Sequence, residues 1–180
     1  VALNTAVWIL VQGMGTEPEL SRSVCALGLI PGEFLGRVAE GTSFRLTPAT
    51  VCVVGTSQTW YTPLSSMFMH GGWMHLIGNM WFLWLFGNNV EDSMGRVRYF
   101  VFYLLCGLAA AAAQTITSPS SIVPMVGASG AISGVMGAYL ILYPRVRVYT
   151  LVPLGFFFWT IPLPAWFMLL YWIFLQLASG

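Results

Sequence analysis

Residues 99–115, YFVFYLLCGLAAAAAQT, run for seventeen positions without a charge. Crossing the hydrocarbon core of a bilayer as a helix takes ~20 mostly apolar residues, and this run nearly suffices on its own. It is not isolated. WMHLIGNMWFLWLF, ASGAISGVMGAYLILY and PAWFMLLYWIFLQL are comparable, and the chain opens on VALNTAVWILV. Only 7% of the 180 residues are charged and 57% are hydrophobic, whereas soluble domains carry about 25% charged residues. A water-soluble chain this apolar could not cover its own surface. The reading is therefore an integral, multi-pass membrane protein of the all-α class: a polytopic helical bundle with room for about five spans. A transmembrane barrel would show short alternating segments instead of unbroken apolar runs.

The five expected helices cover residues 1–11, 73–86, 99–115, 128–143 and 164–177, in a single membrane domain over residues 1–180. The first starts abruptly in apolar sequence without Met, so it reads as a truncated span rather than a signal peptide. The chain stops at LASG, before any sixth span, and the domain is expected to be cut at both ends. Residues 12–61 form a polar first loop with Glu17, Glu19, Glu33, Glu40, Arg22, Arg37 and Arg45. Its hydrophobic pieces, VCALGLI and EFLGRV, suggest short amphipathic segments on the membrane interface. The second helix is expected to end near GNN with Gly87 as its cap, followed by a charged turn, VEDSMGRVR. The Pro-punctuated stretch after the fourth helix reads as strand-like or re-entrant.

Arg96, Arg98, Arg145 and Arg147 lie in the two short turns after helices two and four, which places those turns in the cytoplasm and the first loop outside. Cys25 and Cys52 fall in that loop; they could pair in an oxidising compartment, or stay as unpaired apolar cysteines. Lysine is absent and the net charge is +1, so nucleic-acid binding has no electrostatic support. The absence of an internal repeat, and of a charge at mid-span in any helix, argues against a channel or transporter.

Polar groups inside a span are costly and mark function by default. His75 and Asn79 are four apart, so they share one helix face, and both can donate hydrogen bonds toward one point. They could equally be polar glue between helices. Ser129 opens the fourth helix, where unpaired N–H groups and the dipole favour negative charge. A developing oxyanion would be stabilised there. Gly127 permits an unusual backbone approach, and Gly130, Ser133, Gly134 and Gly137 make a small-residue face for close packing. The bland alternative is a packing seam with Ser129 as N-cap.

Together these residues are an inventory for acyl transfer: a nucleophile plus oxyanion donors. The stretches WYTPLSSMFMHGGWMHLIGNMWFLWLFGNNVEDSMGRVRYFVFYLLCG and GASGAISGVMGAYLILYP resemble the rhomboid family of intramembrane serine proteases. The resemblance implies six core helices, five of them present here. It implies Ser129 as catalytic nucleophile in the GxSG of Gly127–Gly130, with His75 and Asn79 of the HxxxN helping the serine N–H hold the oxyanion. Glu91 and Arg96 match a structural ion pair on the cytoplasmic side. The fifth helix would act as a lateral gate. Substrates would be transmembrane proteins cut near the outer interface, without metal or organic cofactor, in a bacterial inner membrane.

The base of the Ser–His dyad is a histidine on the sixth helix, which these residues lack. His70 and His75 both precede Ser129, and neither is assigned as base. The fragment alone should not cleave. Trp60–Tyr61 replaces a frequent Trp-Arg pair, and Ser133 stands where many members place an aromatic residue. The rival reading is an inactive rhomboid-like protein that binds membrane clients for trafficking or quality control.

Overall fold

The computed structural model describes residues 1–55, 59–154 and 157–179. Helix α1 (Ala2–Leu10) leads through a 3-10 turn into the first loop. That loop holds α2 (Glu19–Leu27), α3 (Pro31–Phe34) and an antiparallel hairpin of β1 (Ser43–Arg45) with β2 (Val51–Val53), in the register Phe44 opposite Cys52. Cys25 and Cys52 form a disulfide joining α2 to β2, which resolves the open question of their pairing. Such bonds persist in oxidising compartments, the side to which the arginine distribution assigns this loop.

After α4 (Thr62–Ser65) and a second 3-10 turn come α5 (Trp73–Met94) and α6 (Arg96–Thr117). Here the expectation needs correcting. Gly87 does not end a helix, and VEDSM is helical, not a turn. Gly87 is buried beneath Tyr99 Oη, which occupies the space a Cβ would need. The reversal is made by Gly95 alone, at φ +81°, a conformation in which glycine avoids the steric penalty of a Cβ. Across that corner Arg96 Nε lies 3.7 Å from Glu91 Oε1, an exposed pair that contributes about 0–1 kcal/mol.

Helix α7 (Ser129–Leu142) is the centre of the bundle, packed between α5, α6 and α8 (Ala165–Ser179). Ala131, Ile132, Val135, Met136 and Tyr139 bury its length. The anticipated four-residue small face splits in two. Gly130 abuts Ala110 and Gly134 abuts Cys106, so α6 and α7 meet along these small residues, as close packing in lipid requires. Ser133 and Gly137 point elsewhere. Ser133 Oγ accepts a 3.0 Å hydrogen bond from Trp172 Nε1 of α8, and a Cβ at Gly137 would meet open space beyond its own turn of helix among the described residues.

Between α7 and α8 stand β3 (Arg147–Leu154) and β4 (Phe157–Pro164), paired antiparallel with Arg147 opposite Pro164. The strand-like alternative holds, while residues 155–156 of that stretch lie outside the described residues. The molecule is mostly helical, consistent with the helical-bundle reading, and carries two small hairpins besides. Among the described residues one helix, Arg96–Thr117, is long and apolar enough by itself to cross a membrane. Ser129–Leu142 and Ala165–Gln176 are apolar but shorter.

Candidate active site

The segment ahead of α7 is held by backbone pairing with the first loop and the 3-10 turn. Leu29 and Met125 exchange hydrogen bonds of 3.0 and 2.7 Å, and Gly32 N–H donates to Ser121 O at 2.9 Å. Gly127 N–H donates to Ser66 O at 2.9 Å, while Ser65 Oγ donates to Leu27 O at 2.7 Å. Neighbouring loops thus set where Gly127 lies before the helix begins.

Gly127 sits at φ +125°, which L side chains rarely adopt. A Cβ built there would stand 2.8 Å from His75 Nε2, 2.9 Å from His75 Cε1 and 3.8 Å from Ser129 Oγ. The imidazole edge and the serine hydroxyl therefore flank one point, left open because residue 127 has no side chain. Helix α7 takes Ala128 as its N-cap, and no side chain caps it. The capping role considered for Ser129 is not present, and its half-buried hydroxyl faces the same small space as His75.

His75 Nδ1 accepts a hydrogen bond from Gly71 N–H at 3.2 Å. A neutral imidazole that accepts at one nitrogen carries its proton on the other. Nε2, the atom beside Gly127 and Ser129, is thus the donor. Asn79 behaves differently: its Nδ2 donates to His75 O at 2.8 Å, and its buried Oδ1 has no partner. Among the described residues, the hydrogen bonds of both side chains stay within residues 71–79.

Sequence spacing puts His70 well around a helix from His75, but residues 70–72 are not helical. The chain folds back, and the two rings meet edge to face with centroids 5.3 Å apart. His70 is fully buried, and neither of its ring nitrogens makes a hydrogen bond of good geometry. Burial, and then the neighbouring His75, lower its pKa to about 4, with the Phe68 backbone opposing. A histidine lowered from 6.5 binds fewer protons folded than unfolded. Its stability contribution is complete above pH 6.5 and is lost as pH falls through about 4. Thermal melts should therefore drop across this window, and His70→Phe should shrink the drop; an unchanged acid limb would refute the assignment.

Sequence reasoning missed Gln12. It is fully buried after α1 and hydrogen-bonds the His70 backbone at both N–H and C=O. A lone amide beyond an apolar run carries no signal of a partner 58 positions away.

A family profile, the Rhomboid domain, matches residues 57–180. Rhomboid protease GluP of Bacillus subtilis (strain 168) is 38% identical over 81 residues, 45% of this chain and 15% of that protein. Rhomboid-like protein 11, chloroplastic, of Arabidopsis thaliana is 37% identical over 75 residues, 42% of this chain and 26% of that protein. RHOMBOID-like protein 4 of Arabidopsis thaliana is 36% identical over 154 residues, 78% of this chain and 37% of that protein. The chain thus matches well under half the length of each of these relatives. No solved structure matches it significantly. A chloroplastic and a bacterial protein both appear among the relatives, so the similarity does not single out a bacterial inner membrane. The chain belongs to the rhomboid family, whose members are embedded in the membrane.

Proposed function

We propose that the full-length protein is an intramembrane serine protease in which Ser129 is the nucleophile. The observation that carries this reading is the convergence of the Ser129 hydroxyl and the His75 Nε2 donor on the side-chain-free face of Gly127. Ser129 attacks the substrate carbonyl, and the oxyanion is held by the Ser129 N–H at the positive end of α7 and by His75 Nε2–H. Asn79 supplies a further N–H once its Nδ2 turns from the His75 carbonyl toward the charge. Neither His70, whose buried ring nitrogens have no hydrogen-bond partner among the described residues, nor His75, already a donor, serves as base. We assign that role to a histidine outside residues 1–180.

Helix α7 has 14 residues and is ~21 Å long, against ~30 Å of hydrocarbon. With its last turn at the inner interface, Ser129 lies below the outer surface. Substrates are accordingly transmembrane proteins whose helices fray near that surface, entering beside α8. The membrane is one whose outer side is oxidising, consistent with the Cys25–Cys52 disulfide.

The test is a fluorophosphonate probe applied to the full-length protein in detergent, with the labelled peptide located by mass spectrometry. Label on Ser129 is the expected result. Label elsewhere, or none on folded protein, overturns the proposal, and the second outcome favours a client-binding protein without catalysis.

Asn79 gives a separate prediction. Its Oδ1 has no partner, and its Nδ2 bond goes to a carbonyl in its own helix, so truncation should cost little stability. Asn79→Ala is expected to lower turnover about 100-fold, the usual order for one oxyanion donor, with a nearly unchanged melt. A large loss of stability with normal turnover would make Asn79 structural.

A further inference from the structure

The bend MHGGWMH places two glycines between the histidines, where backbone rotation is least restricted. Yet the peptide unit joining His70 to Gly71 is held at both edges. Its carbonyl, His70 O, accepts from Gln12 Nε2 at 2.8 Å, and its N–H, Gly71 N, donates to His75 Nδ1 at 3.2 Å. The preceding N–H, of His70, donates to Gln12 Oε1 at 2.8 Å. Gln12 Nε2 also contacts Ser23 Oγ at 3.4 Å, so both hydrogens of the buried amide are used. Its orientation follows from its partners, since a flipped amide would set donor against donor and acceptor against acceptor.

A trans peptide is planar, with C=O and N–H pointing in opposite directions. Fixing the carbonyl edge therefore aims the N–H edge. We infer that Gln12 is a positioning residue for the reaction, which acts through the His70–Gly71 peptide to hold His75 in the Nε2–H form facing Gly127 and Ser129. This rests on the reading of His75 as an oxyanion donor. Without Gln12 the glycines can turn the Gly71 N–H away. Nδ1 then loses its donor, the ring can take the other tautomer, and Nε2 presents a lone pair where the oxyanion forms.

The experiment uses full-length protein in detergent with a model transmembrane substrate. Gln12→Leu should lower kcat about tenfold or more with KM unchanged. Nitrogen-15 spectra of labelled histidine, assigned by the signals lost in His75→Ala, should show His75 passing from the Nε2–H form to a mixture. In the His75→Ala background, Gln12→Leu should have little further effect on kcat. If Gln12→Leu does not fold, Gln12→Glu keeps the acceptor for His70 N–H and removes the Nε2 donor to His70 O and Ser23 Oγ. An unchanged His75 tautomer, or losses that multiply independently, overturns the proposal. If His75→Ala leaves kcat intact, the reading of His75 as donor fails, whatever the spectra report about Gln12.

Discussion

Ser129→Ala in the full-length protein is expected to abolish fluorophosphonate labelling and to reduce cleavage of a transmembrane substrate by at least about 10⁴-fold. Removing the nucleophile of a serine protease leaves only what the oxyanion site and substrate binding contribute, and losses of that order or greater follow. The fold should not share the loss. Helix α7 takes Ala128 as N-cap with no side-chain capping bond, so the Ser129 hydroxyl contributes no cap to its stability. Alanine is the better helix former by about 0.5 kcal/mol, so the melting temperature should hold or rise slightly. That combination of dead enzyme and intact fold distinguishes a nucleophile from a packing residue. Persistent cleavage by Ser129→Ala would place the nucleophile elsewhere.

Gly127→Ala should also lower activity, though less than loss of the hydroxyl, and it should weaken the fold. At φ +125° any L side chain is strained, at a cost of about 1–3 kcal/mol. The new methyl would stand 2.8 Å from His75 Nε2, closer than a real Cβ contact allows. The ring cannot yield freely, because Nδ1 is bound by Gly71 N–H. Displacing it removes the proposed oxyanion donor, so turnover is expected to fall at least about 100-fold and the melting temperature to drop with it. Gly137→Ala is the control. That glycine has open space around it inside α7, and alanine there should gain up to about 1 kcal/mol with activity unchanged. Full activity in Gly127→Ala would mean that the open face at residue 127 is not part of the site.

The membrane class, the helical character of five segments, and the glycine frame around Ser129 were all legible in the sequence. Each depends on local composition: apolar run length sets what a segment can bury, and small residues four apart mark where helices approach. The end of α5 was not legible. Asn88 and Asn89 look like helix-end residues and Glu91 and Asp92 like part of a turn, yet the helix continues to Met94 because polar residues remain solvated on a helix that reaches the interface. Gly87, which looked like a terminator, serves instead to admit the Tyr99 hydroxyl. Neither could the chain alone show that His70 and His75 lie edge to face, that Leu29 pairs with Met125, or that Gln12 grips the His70 backbone. These contacts run between backbone groups or across a bend, and every residue offers nearly the same N–H and C=O, so side-chain identity carries no record of the partner. The sequence by itself determined that a hydroxyl, an imidazole and a carboxamide are carried on apolar helices. Only the tertiary structure decided which imidazole nitrogen bears the proton and that it lies beside Gly127, because the bend at residues 71–72 sets the first and the packing of α7 on α5 sets the second.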